Sequence, residues 1–186
     1  SEVYGVRRTG GAPVTRQTRF QLASTTKMFT GALGVSLDEA GAANLNDPIG
    51  QHLPNVGFRT VTLHQLLSHT SGFATEFGRS GPDLVTMVQD NGQMPLWAPP
   101  GRVWNYSNPG FAVAGAVMEV AAGRSFAQLV EQLLFAPSGM TRAVFDVPTV
   151  MADGDFAYGH EENQAPIAPD GSYFEFSSYH PMGGAW

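Results

Sequence analysis

The residues in this chain best placed to do chemistry are a serine and a lysine three positions apart, Ser24 and Lys27, in the stretch FQLASTTKMFTG. Lys27 is the only lysine present; every other Lys or Arg cation is an arginine. On a helix, positions i and i+3 share a face, close enough for two side chains to touch. A serine hydroxyl becomes a competent nucleophile when a neighbouring group takes its proton. Lysine can do this once desolvation or neighbours lower its pKa, whereas a guanidinium cannot be deprotonated in a protein. In the first turn of a helix, unpaired N–H groups and the positive helix end also favour an anion. The same residues can be read as a capped helix carrying one solvated lysine, so the pair needs a second signal.

That signal is PGRVWNYSNPGF, which holds Tyr106-Ser107-Asn108 after a Pro/Gly loop and before an apolar run. Tyrosine can relay a proton, and asparagine can hydrogen-bond a substrate amide or the lysine. The structural alternative makes Tyr106 an aromatic plug with a satisfied hydroxyl and Asn108 a helix N-cap beside Pro109.

Other chemistries lack their residues. No serine sits in a G-x-S-x-G elbow. HEENQ lacks the second histidine of H-E-x-x-H, which leaves His160 as a surface residue in an acidic loop, and no other His pair has ligand spacing. Neither a metal nor an organic cofactor is implied. Asn105-Tyr106-Ser107 matches a glycosylation sequon, read here as coincidence. Cysteine is absent, which removes disulfides, thiolate ligands and thiol nucleophiles. A net charge of −6, with no basic cluster larger than Arg7-Arg8, argues against nucleic acid and anionic membrane surfaces. No apolar run reaches the length of a membrane span. With 42% hydrophobic and 14% charged residues the composition is that of a globular domain.

The elements that must position Ser24 and Tyr106 follow from periodicity and punctuation. SEVYGVRR alternates like a short strand. A helix is expected from Ser24 to about Ala40, with Met28, Phe29, Ala32, Leu33 and Val35 at helical spacing and Gly41 as its cap. Gly31 and Gly34 suggest close packing within the domain. Further helices are expected from Thr62 to Gly72, over 83–90, and over NPGFAVAGAVMEVAAG and SFAQLVEQLLFAPSG, with Ser125 as N-cap of the last. TRAVFDV reads as a strand before a Gly/Pro/acid-rich tail.

FQLASTTKMFTG, LHQLLSHTSG, PGRVWNYSNPGFAVAG, GRSFAQLVEQLLFAPSGM and HPMGGAW occur in the order seen in the serine β-lactamase and penicillin-binding protein superfamily. The chain most resembles the branch containing DD-peptidases, class C β-lactamases and related esterases. The resemblance implies an α/β (α+β) β-lactamase/transpeptidase-like fold, with a helical subdomain beside an antiparallel sheet and catalysis in the groove between them. It makes Ser24 the acyl-accepting nucleophile, with Lys27 and Tyr106 jointly moving its proton. Asn108 would contact substrate and Lys27, and the Ser24 N–H would be one oxyanion donor. LLSHTSG would be structural, buttressing the nucleophile helix, with His69 a satisfied helix-end residue.

The pattern also departs from the family. The third motif, Lys or His, any residue, then Gly on an edge strand, is not found after Asn108; HTSG at 69–72 is similar only superficially. Residues 1–186 are therefore expected to be a partial hydrolase domain of a protein roughly twice as long. In it, 1–22 end a sheet strand and loop, 23–186 are mostly helical subdomain, and the N-terminal strands and C-terminal sheet strands lie outside the chain. The expected function is hydrolysis through an acyl-enzyme of an ester, a D-amino-acid peptide or a β-lactam, with a dedicated β-lactamase ranked below esterase or DD-peptidase. The alternative is a catalytically silent sensor or scaffold. Such relatives act mostly outside the cytoplasm, and the absence of cysteine is compatible with that location.

Overall fold

A computed structural model describes residues 2–76, 81–171 and 176–186. The nucleophile segment opens as a 3-10 turn, Ala23–Thr26, that runs directly into helix α1, Lys27–Glu39. Gly41 adopts φ +70 just past its end and donates to Asp38 O (3.0 Å), the left-handed stop that glycine tolerates best. The buried face of α1 is Lys27, Thr30, Leu33, Gly34 and Leu37. This corrects the expected register of the apolar face, because Met28 and Val35 are exposed and Lys27 takes the inward place. Of the two glycines, only Gly34 marks a close approach: a Cβ there would lie 2.7 Å from Leu67 Cδ1, whereas one on Gly31 would meet open space.

Helix α2, Leu63–Leu67, begins at a capping box in which Thr62 and Gln65 satisfy each other's backbone N–H groups. It stops earlier than Gly72, at Ser68, because His69 takes φ +59 and turns the chain. Helix α3, Leu84–Asp90, is capped by Asp83. Helix α4, Asn108–Ala122, is the centre of the molecule, with every residue from Pro109 to Met118 buried. A helix apolar on all sides needs neighbours on all sides, and α1, α2, α3, α5, Phe126–Val130, and the C-terminal turn pack around it. Ser107, not Asn108, is the α4 N-cap, accepting the Gly110 N–H at 3.0 Å, and Gly123 at φ +64 ends the helix. Ser125 caps α5 as expected, and a π turn, Glu131–Phe135, then carries Phe135 into the core.

Two expected strands are not formed. SEVYGVRR contributes one isolated bridge, Val6 to Pro13, and Val3, Tyr4 and Val6 are exposed. In TRAVFDV only Val144 pairs, exchanging both backbone hydrogen bonds with Trp186 (2.9 and 3.1 Å). Alternation alone does not make a strand; a neighbour must accept the ladder bonds. The tail is more ordered than its composition suggests. It forms α6, Val147–Asp153, and an antiparallel pair of β1, Gly159–His160, with β2, Pro166–Ile167. It ends in the turn α7, His180–Gly183. Among the described residues this pair is the whole named sheet, and no helix is long and apolar enough to cross a membrane.

Candidate active site

The local half of the site is the entry to α1. Ala23 has φ +44, an uncommon conformation for a residue with a Cβ, and it presents Ser24 on the exposed first turn. The Thr25 N–H closes this turn on Leu22 O (3.0 Å), so the Ser24 N–H precedes the first bonded position. One turn on, Lys27 points inward, is 8% exposed, and places Nζ 3.1 Å from Ser24 Oγ. Its second partner is Met182 O of α7, at 2.6 Å. The Nζ also lies 5.0 Å from the centre of the Tyr106 ring and 5.6 Å from that of Phe111.

α7 is held against this half by backbone groups. Thr30 Oγ1 donates to Pro181 O (2.5 Å), the Ala185 N–H donates to Thr26 Oγ1 (3.2 Å), and the Leu22 N–H donates to Ala185 O (2.9 Å). The approach to α4 depends on Gly115, where a Cβ would fall 2.2 Å from Pro181 Cγ. The Met182 carbonyl is the functional group that reasoning from side-chain types missed. A backbone acceptor leaves no mark in residue identity, and only the HPMGGAW resemblance pointed to this segment.

The second half of the site comes from far along the chain. The Tyr106 hydroxyl reaches Ser24 Oγ at 2.7 Å. The segment carrying it is strapped residue by residue to the stretch after α2. The Asn105 N–H donates to His69 O (2.9 Å) and Asn105 Nδ2 to Phe73 O (2.8 Å). The Ser107 N–H donates to His69 Nδ1 (3.0 Å) and Ser107 Oγ to Ala74 O (2.7 Å). Gly72, at φ +87, lets the stretch pass the 93–101 loop, for a Cβ there would sit 2.1 Å from Ala98 O. Tyr106 is the member of this segment that turns to the nucleophile.

Three of the four expected side chains therefore converge: Ser24, Lys27 and Tyr106. Asn108 stands beside them on the first turn of α4, but its amide donates to the Glu76 carboxylate (3.1 Å) and its N–H to Thr75 O (3.2 Å). The expected Asn108 contact to Lys27 is not among the hydrogen bonds of the described residues; the Asn108 donors are turned to the 75–76 segment. LLSHTSG serves both halves, with Leu67 packed at Gly34 of α1 and His69 bonded to the Tyr106 segment. His160 is exposed, at the edge of the small sheet. Among the described residues no three His, Asp or Glu side chains gather into a metal-binding group.

Geometrically the site can present a hydroxyl flanked by the lysine nitrogen and a phenol, next to the Ser24 N–H at the helix entry. The Beta-lactamase family model matches residues 2–185 of this chain. Penicillin-binding protein 4 of Amycolatopsis lactamdurans is 33% identical over 144 residues, which is 72% of this chain and 38% of that protein. A beta-lactamase of Escherichia coli strain K12 is 31% identical over 160 residues, 82% of this chain and 41% of that protein. Among solved structures, the D-alanine carboxypeptidase AmpC from Burkholderia cenocepacia superposes with a TM-score of 0.81 at 32% identity, covering 98% of this chain and 50% of that one. The chain thus spans half the length of these relatives or less. A family match over nearly every residue, together with a shared fold at this identity, establishes that the chain belongs to the beta-lactamase family, within the serine β-lactamase and penicillin-binding protein superfamily.

Proposed function

We propose that this chain carries the nucleophile half of a serine hydrolase that works through an acyl-enzyme on Ser24. The observation that carries the reading is that Ser24 Oγ lies within hydrogen-bond reach of both Lys27 Nζ (3.1 Å) and Tyr106 Oη (2.7 Å). Ser24 Oγ attacks the substrate carbonyl while its proton passes to the Lys27–Tyr106 pair, which must enter the step jointly one proton short. Met182 O accepts from Lys27 Nζ and so holds the nitrogen beside Ser24. The tetrahedral oxyanion is received by the Ser24 N–H at the start of the helix. Collapse breaks the bond to the leaving group, which takes the proton from the pair. Water then enters by the reverse proton path and frees the acid. Asn108, at the same helix entry, is proposed to contact the substrate.

Ester and D-aminoacyl peptide substrates rank ahead of dedicated β-lactam hydrolysis. Tyr106-Ser107-Asn108 and HTSG favour that order, and a structurally similar protein is named a D-alanine carboxypeptidase. The apolar side of α1, where Met28, Ala32 and Val35 are exposed, supports the inference that further sheet strands complete the domain. The silent sensor or scaffold remains the second reading, and the retained Ser24–Lys27–Tyr106 cluster counts against it.

The test is to treat the full-length protein with a fluorescent penicillin and measure intact mass. One covalent adduct on Ser24, lost in Ser24→Ala, is expected. No adduct with any acylating probe, together with no turnover of ester, amide or lactam, overturns the enzyme reading. An adduct that survives Ser24→Ala overturns the choice of nucleophile.

A further inference from the structure

His69 occupies a position where a side chain is costly. Helix α2 ends in a Schellman turn: the His69 N–H donates to Leu66 O (3.2 Å) and the Thr70 N–H donates to Gln65 O (2.9 Å). His69 is the left-handed residue of that turn, at φ +59, the place usually filled by glycine. A Cβ disfavours this conformation, so the His69 side chain needs a reason to be there. The surroundings supply one. The imidazole is 4.7 Å from the Tyr106 ring at a 33° tilt, and 4.9 Å from the Phe111 ring at 38°, with Trp104 edge-on at 5.8 Å. Nδ1 receives the Ser107 N–H, the backbone donor immediately after Tyr106, while the His69 carbonyl receives the Asn105 N–H immediately before it. Both peptide flanks of Tyr106 and one face of its ring are therefore set by a single residue.

We propose that His69 is a positioning residue for Tyr106, holding the phenol at Ser24 by accepting the Ser107 N–H at Nδ1 and backing the aromatic ring. This rests on the reading of Tyr106 as a proton relay, but the placement itself is testable without catalysis. An acceptor at Nδ1 requires the ring proton to sit on Nε2. Protonation of the ring turns Nδ1 into a second donor facing the Ser107 N–H, and the strap opens. The charged and titratable groups facing the ring are Lys27 from α1 and Tyr106 from the segment before α4; Phe111 and Trp104 offer uncharged surface. Burial first, and then the Lys27 charge, lower the His69 pKa from its ordinary value of 6.5, which keeps the acceptor form in place at neutral pH.

The experiment compares the full-length parent with His69→Asn and His69→Phe. Asparagine tolerates the left-handed conformation and puts an oxygen near the Nδ1 position, whereas phenylalanine keeps a ring without an acceptor. Two quantities are read against pH: the hydrogen-exchange protection of the Ser107 amide, corrected for intrinsic exchange, and the rate of Ser24 acylation. In the parent, Ser107 protection should fall about tenfold or more as pH drops below 6.5 and His69 titrates. In His69→Asn that pH step should vanish, and acylation should exceed that of His69→Phe by about tenfold. Should His69→Phe fail to fold, the parent and His69→Asn still decide. Ser107 protection that ignores His69 titration, or that keeps the same pH step in His69→Asn, overturns the proposal. If the parent never acylates but its Ser107 amide follows His69, the catalytic reading fails while the positioning stands.

Discussion

The two halves of the site are built by different means. Ser24 and Lys27 meet because they are three residues apart on one turn, a relation that helix geometry supplies by itself. Tyr106 lies 82 residues from Ser24 in sequence, and it reaches the hydroxyl only because backbone and side-chain bonds tie residues 105–108 to residues 69–76. The first half is cheap to specify, since two residue types at the right spacing suffice. The second needs a left-handed His69, a Gly72 with no Cβ and a Ser107 that both caps α4 and binds Ala74 O. Even the local half is finished by tertiary contact, because the third partner of the pair is the Met182 carbonyl.

The sharpest way to break the comparison is to change the chemistry of the local half without its charge. Lys27→Arg should lower the acylation rate by about 10²–10⁴-fold, because guanidinium cannot take the serine proton. Stopped-flow reaction with a fluorescent penicillin measures it, and a near-parental rate would make Lys27 purely structural.

A smaller effect is expected where tertiary packing completes that half. Gly115→Ala puts a methyl group into the Pro181 ring and should displace α7 from α4. The net loss should be about 1–2 kcal/mol, since overpacking outweighs the better helix propensity of alanine. Denaturant midpoints measure this, and slower acylation should accompany it as Met182 O leaves Lys27. Unchanged stability would show that the α4–α7 approach yields without cost.

Acid should probe α7 more gently. His180 is half-buried against Phe145 (5.0 Å), and its Nε2 has no hydrogen-bond partner among the described residues. Burial lowers its pKa from 6.5 to about 4, with Asp146 pulling weakly the other way. The folded state then binds fewer protons than the unfolded chain between those values. Stability from this group is complete above pH 6.5 and declines as pH falls toward 4, by no more than about 1.4 kcal/mol per pH unit. His180→Phe should flatten that slope in urea melts taken across the window; an unaltered slope would place the acid sensitivity elsewhere.

Much of the fold was legible in the sequence because its signals are local. The Ser125 cap, the Gly41 stop and the helix starts near Thr62 and Asp83 each arise within a few residues. The inward face of α1 was misread because Met28 and Val35 are more apolar than Lys27, yet what lies against them decides burial. SEVYGVRR and TRAVFDV were read as strands from alternation and β-branched content, but strand formation waits on a partner ladder. Asn108 was expected as an N-cap or as a Lys27 contact. The neighbouring Ser107 took the cap, and Glu76 took the amide.

The sequence by itself determined the chemistry on offer: a lone lysine one turn from a serine, a tyrosine before an apolar helix, and a segment order shared with a hydrolase superfamily. Those are matters of residue type and short-range spacing, which helix geometry converts into contacts without help. Only the tertiary structure decided that Met182 O orients Lys27 and that His69 flanks Tyr106 on both sides. Backbone carbonyls carry no residue identity, and a ring's neighbours are chosen by packing between segments far apart in the chain.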